Sequence, residues 1–533
     1  MRGFRRGRRR PDPPSSPSLH ESWRRPRRFD PESWAVTLGT TTSLGTTGSG
    51  SQGVIDDRGT VQLSEAAWTL EWWVGAEDRW HCSGSEINIR QLRLGAGPVT
   101  EALMGVPGGD VVQRAAGAES DPAVVLLEFE NRSAVPVALA LVIRPFRLDG
   151  PGRVDAIALD GPAVRVDGEP ALVLDRLPAA AVGGSAVLDL GPALEGCGTH
   201  EPDGFECSCP AGSATAAVIA PLAHQATIRV ALGTADPSVF ARLPTATQVG
   251  AGWAAHLDGG PRLDLPIDDE AFRADLATVL VAAAQVQRPP LGADRWTTAH
   301  QARVLEAVTR LGHPLATIEV PRWLETTDLR SDTAAVAMAI SRATTDASPG
   351  WFDDYLGWAA DSLHRGLERD DPDAARAVGW LSALLARTGQ IESAAAVAAG
   401  WGPAPRPEWS CPGAIVDPVA AAGRLIDVVD QIVADRPDGL DLLPVVPAGW
   451  FGRSTDVRDL VTAHGSLSFA VRWHGERPAL LWEVQPWEAG SSVLLRCPGL
   501  DPSWTSTDTS GEALLAAPAG AGAAMVEPGQ SFG

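Results

Sequence analysis

Residues 68–82, "WTLEWWVGAEDRWHC", bring together side chains that could bind or react with a ligand. The stretch holds four tryptophans, three carboxylates and one histidine. Indoles stack on the apolar faces of sugar rings, and carboxylates accept hydrogen bonds from sugar hydroxyls. The same residue types also fill the inside of a β-sheet, so the stretch fits a saccharide-binding surface, a catalytic site or a structural strand.

Alternation within this stretch predicts a strand with two different faces. One face is apolar and is expected to be core: Trp68, Leu70, Trp72 and Val74. The other face carries Glu71 and Trp73. This second face fits either an interface with a helical domain, the commoner use, or contact with a saccharide.

A second cluster holds metal-ligand residue types. Cys197, His200, Cys207 and Cys209 lie within "CGTHEPDGFECSC", and four such side chains can hold a tetrahedral zinc ion. The Cys-x-Cys spacing is tighter than the usual separation of zinc ligands. We therefore interpret the segment as a loop with ordinary thiols and expect no metal and no cofactor.

Charge and amino-acid usage restrict the partners. The formal net charge is -22, and all 44 basic residues are arginines. With 55 Gly and 43 Pro, this usage is typical of a GC-rich, actinobacterial type of genome, so the arginines do not indicate nucleic-acid binding. An acidic chain disfavours polyanions, whereas it suits neutral partners such as saccharides.

Residues 1–33 are strongly basic and are interrupted by Pro and Ser, which predicts a disordered, solvated arm. No apolar signal-peptide region follows it, and no apolar run in the chain is long enough to span a bilayer. We therefore expect a cytoplasmic protein without membrane insertion.

Hydrophobic periodicity predicts a multidomain α+β fold. From 34 to 264 the period is two with recurrent turns, which indicates an antiparallel β-sandwich. From 267 to 436 the spacing is helical. Two related stretches there, "ARVLEAVTRLGHPLATIEVPRW" and "VGWLSALLARTGQIESAAAVAAGW", share an Arg-x-Gly turn and predict stacked α/α hairpins. Residues 437–505 predict a small C-terminal β domain, and 506–533 a flexible tail.

This order of domains resembles the six-hairpin (α/α toroid) carbohydrate enzymes, including glucoamylase-like and amylo-1,6-glucosidase-like glycosidases. The resemblance is carried by "DRPDGLDLLPVVPAGWFG" and "LVTAHGSLSFAVRWHGERPALLWE" after the last predicted helix, and by "GSQGVIDDRG" and "LEWWVGAEDRWH" near the start. It implies a saccharide or glycoside ligand. The helical region has room for only about eight helices, too few for six hairpins, so the resemblance implies a partial toroid.

The family cleaves glycosidic bonds with two carboxyl groups, a protonated acid and a base or nucleophile. The resemblance places the acid in "WLETTDLRSDTAAVAMAIS", where Asp332 matches the Asp of a Glu-Trp-Asp-like motif. Arg330 and Ser331 stand where Glu and Trp are expected, so Asp328 and Glu325 are substitutes. The structural alternative is that Asp332 caps the helix that follows it.

The resemblance places the second carboxylate before the final helix, in "PRPEWSCPGAIVDP". Glu408 beside Trp409 is the candidate, because an indole that excludes water raises the pKa of a carboxyl. Asp417 is the alternative, although Asp417-Pro418 also fits a helix cap followed by Pro. The candidate saccharide contacts are Trp409, Trp73, Glu71 and Trp323.

Two functions follow from this sequence. The first is a glycosidase-like protein that binds, and with paired carboxylates hydrolyses, a glucoside or oligosaccharide. The second is a non-catalytic scaffold of the same ancestry that binds a saccharide or a protein, which the shortened helical region and the missing acid motif favour.

Overall fold

The computed structural model describes residues 41–48, 53–185, 190, 194, 200–259, 262–287, 296–326, 372–399 and 417–518. The expected arm at 1–33 lies outside these residues, as do residues 327–371 and 400–416 of the expected helical region. Within the described part the chain is a mixed α+β protein whose strand pairs are antiparallel except for Gly439–Leu442 with Leu494–Cys497, so the mostly antiparallel pairing that the periodicity predicts is observed. No described helix is long and apolar enough to cross a membrane.

The first part of the chain forms short antiparallel strands. They are β1 Thr42–Leu44, β2 Gly53–Ile55, β3 Val61–Leu63, β4 Thr69–Gly75, β5 Trp80–Cys82, β6 Ile89–Arg93, β7 Val99–Val106, β8 Gly109–Ala118, β9 Val124–Asn131, β10 Val137–Arg144, β11 Phe146–Arg147, β12 Gly150–Pro151, β13 Ala156–Asp160, β14 Ala163–Val166, β15 Glu169–Leu174, β16 Ala180–Ser185, β17 Glu206–Ser208, β18 Ala214–Leu222 and β19 Thr227–Leu232. One sheet has the order β1-β2-β3-β4-β10-β18-β16, with β5 paired to β4. A second has the order β17-β13-β14-β15-β19-β9-β8-β7-β6, and β11 pairs with β12.

The two large sheets pack face to face over one apolar core. Trp72 from the first sheet and Phe129 from the second meet with ring centroids 5.7 Å apart. The four residues expected on the apolar face of β4 all lie in this core, so that prediction is confirmed: Trp68, Leu70, Trp72 and Val74. A strand buried on one face has its register fixed by that face, which is why alternation identified the core side.

A helix, α1 (Ala246–Leu257), follows the last of these strands, where the sequence analysis expected no helix. A capping box starts it: Thr245 accepts from the backbone N–H of Gln248, whose side chain accepts in return from Thr245. Trp253 of α1 belongs to the same apolar cluster as Val99 and Ala116 of the second sheet. The expectation that 34–264 contains only strands is therefore wrong at this point. A short 3-10 helix, Pro237–Ala241, precedes α1.

Six further helices are described in the region expected to be helical. They are α2 Asp269–Ala283, α3 Thr298–Arg310, α4 Ala316–Thr326, α5 Pro372–Arg387, α6 Ile391–Ala399 and α7 Pro418–Ile432. Gly312 after α3 and Gly389 after α5 have φ angles of +61° and +80°. Glycine ends helices in this left-handed conformation, so the Arg-x-Gly turns of the two related stretches are confirmed.

The C-terminal strands form two small sheets. They are β20 Arg262–Asp264, β21 Val433–Arg436, β22 Gly439–Leu442, β23 Thr455–Val461, β24 Gly465–His474, β25 Arg477–Pro486, β26 Leu494–Cys497, β27 Asp501–Ser506 and β28 Ser510–Leu514. The sheet orders are β20-β23-β24-β25-β28 and β21-β22-β26-β27. A short 3-10 helix, Ala448–Trp450, joins β22 to β23.

Two exposed edge strands, β20 and β28, lie outside the ranges expected for this domain, and the edge strand β21 starts at Val433, inside the expected helical region. β20 lies in the stretch assigned to the sandwich but pairs with β23, and β28 lies in the expected tail but pairs with β25. Their partners bind them through backbone hydrogen bonds, and their side chains are largely exposed. Such strands have little hydrophobic alternation for a sequence pattern to detect.

The helices and the C-terminal sheets share one core. Leu425 and Ile426 of α7 belong to the same apolar cluster as Val457, Leu460 and Phe469 of the C-terminal sheet. Helix α7 ends at Ile432 and strand β21 begins at Val433, before the expected boundary at 437, and the described residues on the two sides of that boundary share one core.

Candidate functional site

The stretches "GSQGVIDDRG" and "LEWWVGAEDRWH" near the start of the chain are joined by a hydrogen bond. The Asp56 side chain accepts hydrogen bonds from the backbone N–H groups of Arg58 (2.9 Å) and Thr60 (2.8 Å) and so closes a tight turn. The Trp72 indole N–H donates to the carbonyl oxygen of Arg58 at 3.1 Å. Gly59 has φ +84°, and a Cβ there would lie 2.0 Å from the Gln113 side chain. These motifs therefore hold the strands together.

Glu71 and Trp73 form a closed cluster. The Trp73 indole N–H donates to Glu71 at 3.1 Å, and the Arg144 guanidinium lies 5.3 Å from the Trp73 ring centroid and 3.1 Å from Glu71. Trp73 is 2% exposed and packs with Leu190 and Leu194. The main described contacts with the helical part of the chain are made by the second sheet and by strand β1 of the first sheet. Among the described residues, Arg144 and an apolar cluster cover Glu71 and Trp73 in place of the expected helical domain, and Trp73 offers no exposed ring face to a sugar.

His81 lies between two carboxylates. Its Nδ1 is 2.8 Å from Glu86 and its Nε2 is 3.0 Å from Asp78. Burial alone would raise the pKa of Glu86, but hydrogen bonds from Arg79 and His81 lower it to about 2. Glu86 therefore stays ionised and cannot serve as a proton donor at ordinary pH.

The described cysteines of the expected thiol loop lie in strand β17 and just after it. Burial raises the pKa of the Cys207 thiol, whose sulfur lies 3.2 Å from the carbonyl oxygen of Gly184. Cys197 lies outside the described residues. Within those residues no group of three or more His, Cys, Asp or Glu side chains could hold a metal ion.

The catalytic candidates Glu408, Asp332 and Asp328 lie outside the described residues, as does Trp409. Asp417, the alternative to Glu408, caps α7: its side chain accepts from the backbone N–H of Val419 at 2.9 Å, and Pro418 occupies the first helical position.

Trp323, the other candidate saccharide contact, is fully buried in α4. Its indole N–H donates to Gln301 at 2.8 Å. Glu325, the substitute acid, lies in the last turn of the same helix. Trp323 therefore ties α4 to α3, a structural contact.

The helices α2, α3, α4 and α7 each have one end on the same side of the layer that they form, the helical layer. Arg310 of α3 bonds Asp430 of α7 at 2.5 Å, and Arg303 of α3 is the nearest neighbour of Gly423 of α7. The two residues of each pair are 120 positions apart in the chain, so α3 and α7 run parallel. The same offset makes the start of α3 level with the start of α7.

The ends of α2 and α4 lie on that side as well. The Trp296 indole, just before α3, donates to the carbonyl oxygen of Val286, just after α2. Gln287 bonds Thr326 at the end of α4. Residue 326, two positions before Asp328, and residue 417, nine positions after Glu408, thus lie at one end of the layer.

A partly open cleft of about 410 Å³ lies between the α5–α6 hairpin and the C-terminal sheets. Its helical wall consists mostly of alanines, with Ser382, Arg387 and Ile391. Its opposite wall carries His464, Trp487 and other polar residues, including Asp438, Glu488 and Ser491. Small-ligand sites are clefts of ~300–1,000 Å³ with a few polar groups among apolar ones, and this cleft fits that description.

One turn positions both rings of the polar wall. Thr462 accepts the Trp487 indole N–H at 2.9 Å through its carbonyl oxygen, and the carbonyl oxygen of His464 accepts the Trp487 backbone N–H at 3.2 Å. The Thr462 hydroxyl donates to Gly465 at 2.6 Å and closes the turn. Trp487 is nevertheless 40% exposed. An indole fixed at its N–H and exposed on its ring is preorganised for stacking.

The two carboxylates of the cleft have different surroundings. Arg496 forms two hydrogen bonds to Asp438, of 2.5 and 3.3 Å, and these lower the pKa of Asp438. Glu488 accepts a long hydrogen bond of 3.5 Å from the Ser491 hydroxyl and forms no ion pair with the described residues.

No sequence pattern identified this cleft, and His464, Trp487 and Glu488 were not among the predicted site residues. The available signal was "QPWEAGSS", a Trp-Glu pair in a Gly- and Ser-rich turn directly after a long strand. An indole and a carboxylate placed in a loop are exposed more often than those within a strand.

No protein-family model and no curated protein sequence matches the chain. Among solved structures it is similar to a family GH92 α-mannosidase from Bacteroides thetaiotaomicron, with a TM-score of 0.27 and 8% identity over 68% of this chain and 62% of the enzyme. That α-mannosidase in complex with mannoimidazole gives a TM-score of 0.23 and 8% identity over 61% and 50%. The chain therefore spans less than two thirds of these glycoside hydrolases. At such TM-scores, a functional conclusion rests on the residues of this chain.

Proposed function

We propose that this protein binds a saccharide in the cleft between the α5–α6 hairpin and the C-terminal sheets. The observation that carries the proposal is the Trp487 indole, 40% exposed and fixed beside His464 and Glu488. A sugar ring has an apolar face for the indole and the alanines, and hydroxyls for the imidazole and the carboxylate. The acidic surface of the chain suits such a neutral ligand.

The described residues of the cleft fit binding better than hydrolysis. A glycosidase needs one protonated and one ionised carboxyl group on opposite sides of the scissile bond. Arg496 keeps Asp438 ionised, so Asp438 does not supply the acid. We therefore propose saccharide binding without catalysis for this cleft.

The test is binding of methyl α- and β-D-glucopyranosides, methyl α-D-mannopyranoside and maltotriose, measured by calorimetry on wild type and Trp487→Ala. Losing a central tryptophan contact typically costs ~2 kcal/mol or more, so affinity should fall about 30-fold. Trp473→Ala is the control, because its indole N–H is likewise fixed by a carbonyl oxygen, that of Arg453, away from the cleft. Equal affinity of Trp487→Ala and wild type, or no binding of any probe, would refute the proposal.

Hydrolysis at the end of the helical layer is the second candidate function. It is favoured by the four converging helix ends, which bring the flanks of the Asp328–Asp332 and Glu408 segments to one side of the layer. In this proposal the helices are a partial toroid, Glu408 is one catalytic carboxylate, and Asp332 or Asp328 is the other.

Glu408→Gln tests that candidate with a panel of α- and β-glucosides and mannosides. Losing a proton-transfer group costs a factor of ~10²–10⁴ in rate. Asp268→Asn is the matched control, because Asp268 caps the start of α2, far from the end that faces the candidate segments, and Asn caps a helix as well as Asp does, so the rate should stay unchanged. Equal rates in wild type and Glu408→Gln would remove Glu408 from the site, and an inactive wild type would leave binding as the function.

A further inference from the structure

The tautomer of His464 follows from its hydrogen bond. Its Nε2 lies 2.6 Å from the carbonyl oxygen of Arg436. A carbonyl oxygen only accepts, so Nε2 must carry the proton that is donated. In the neutral imidazole, Nδ1 therefore holds a lone pair. Nδ1 forms no hydrogen bond with the described residues, and His464 lines the cleft.

Buried contacts behind the cleft fix the backbone that carries this imidazole. The Asp435 carboxylate accepts the backbone N–H of Ala463 at 2.8 Å, in a position that is 9% exposed. The Thr462 hydroxyl accepts the backbone N–H of His464 at 3.3 Å. His464 and Trp487 therefore have fixed positions before a ligand arrives, which lowers the entropic cost of binding.

The remaining charges make the polar wall unfavourable for anions. Glu488 has no cationic partner among the described residues, whereas Asp438 is paired with Arg496. Arg387 on the helical wall already interacts with another group of the chain. An anionic ligand would place its charge beside the Glu488 carboxylate, and like charges in a partly desolvated cleft repel.

We propose that the cleft selects a neutral saccharide, one of whose hydroxyls donates to Nδ1 of His464, and rejects acidic and phosphorylated sugars. This rests on the proposed saccharide binding and adds the class of sugar and the residue that selects it. The hydroxyl donor and the stacked ring face must belong to one sugar unit, because one turn carries both His464 and Trp487.

The first experiment replaces His464 in two ways. The Gln side chain reaches the position of Nε2 and keeps a donor for Arg436, whereas the shorter Asn side chain places an oxygen near the position of Nδ1. We expect His464→Gln to bind the best neutral probe at least tenfold more weakly, and His464→Asn to stay within about threefold of wild type. His474→Gln, at an exposed position, is the control for general effects, and thermal melts verify folding of each variant.

The second experiment compares the affinities of sugars that share the glucose ring but differ in charge. Methyl β-D-glucopyranoside is titrated against methyl β-D-glucuronide and glucose 6-phosphate, and the anionic probes should bind at least tenfold more weakly. In a sample with ¹⁵N-labelled histidine, His464 should show the spectrum of the Nε2–H tautomer, with its Nδ1 resonance shifted by the neutral probe.

The outcomes separate the two proposals. The selection by His464 is overturned if the neutral sugar binds His464→Gln as tightly as wild type while still depending on Trp487. It is also overturned if the glucuronide binds as tightly as the neutral glucoside. Either result leaves saccharide binding intact. An Nδ1–H tautomer of His464 also overturns it. Absence of binding by every probe overturns saccharide binding, and the selection with it.

Discussion

At the scale of single residues, His313 is an imidazole that the fold keeps neutral. It is 2% exposed, its Nδ1 accepts the backbone N–H of Leu315 at 3.3 Å, and its ring lies 4.9 Å from that of His256. Burial, and then the neighbouring His256, lower the pKa of His313 from 6.5 to about 4. The pair joins α1, which packs on the second sheet, to the turn between α3 and α4.

This lowered pKa predicts acid destabilisation. Between pH 6.5 and about 4 the unfolded chain binds a proton at His313 that the folded chain does not, so stability is complete above pH 6.5 and falls towards pH 4. The contribution is at most about 1.4 kcal/mol per pH unit. Urea unfolding of wild type and His313→Gln at several pH values measures it, and the variant should lose part of this slope. His474→Gln is the control. Equal slopes in wild type and His313→Gln would contradict the prediction.

At the scale of elements, two helical glycines have opposite surroundings. A Cβ on Gly379 of α5 would lie 2.3 Å from the carbonyl oxygen of Asp435 in β21. A Cβ on Gly423 of α7 would meet its nearest neighbour, Arg303, at 3.8 Å. The first glycine allows a helix to approach a strand closely, and the second leaves room for a methyl group.

Alanine should therefore act in opposite directions at the two positions. In an open helix, Gly to Ala stabilises by ~1 kcal/mol, so Gly423→Ala should raise the free energy of unfolding. At Gly379 the clash with backbone outweighs that gain, and we expect a loss of ~1–3 kcal/mol. Chemical denaturation of both variants measures the difference. A stabilised Gly379→Ala would show that α5 does not press on β21 as described.

At the scale of the whole molecule, apolar cores and sequence domains divide the chain differently. The face-to-face sheets enclose their own core, whereas α2–α7 and the C-terminal sheets share another. Removing the C-terminal strands would expose the buried faces of α3, α5 and α7.

Two fragments test this division. Residues 34–259 keep the first core and α1, and should unfold cooperatively on their own. Residues 34–436 keep the helices without their partner sheets, and their helical part should bind a hydrophobic dye and lack a cooperative transition. Circular dichroism and calorimetry distinguish the two. A second cooperative transition in the 34–436 fragment would show that the helices form an independent core.

The amino-acid sequence by itself determined the local features. Alternation identified the buried face of β4, helical spacing identified α2 to α7, and the Arg-x-Gly turns and the Asp417 cap followed from residue type. These features depend on neighbours within a few residues, so that periodicity and capping rules capture them.

Only the tertiary structure decided which surfaces meet. It covered Glu71 and Trp73 with Arg144 and an apolar cluster, and it paired the edge strands β20 and β28 through backbone atoms that carry no sequence signature. The cleft brings Ser382 and Arg387 of the hairpin next to His464 and Trp487. These residues are far apart in the chain, and their approach depends on packing of whole elements, which no local pattern encodes.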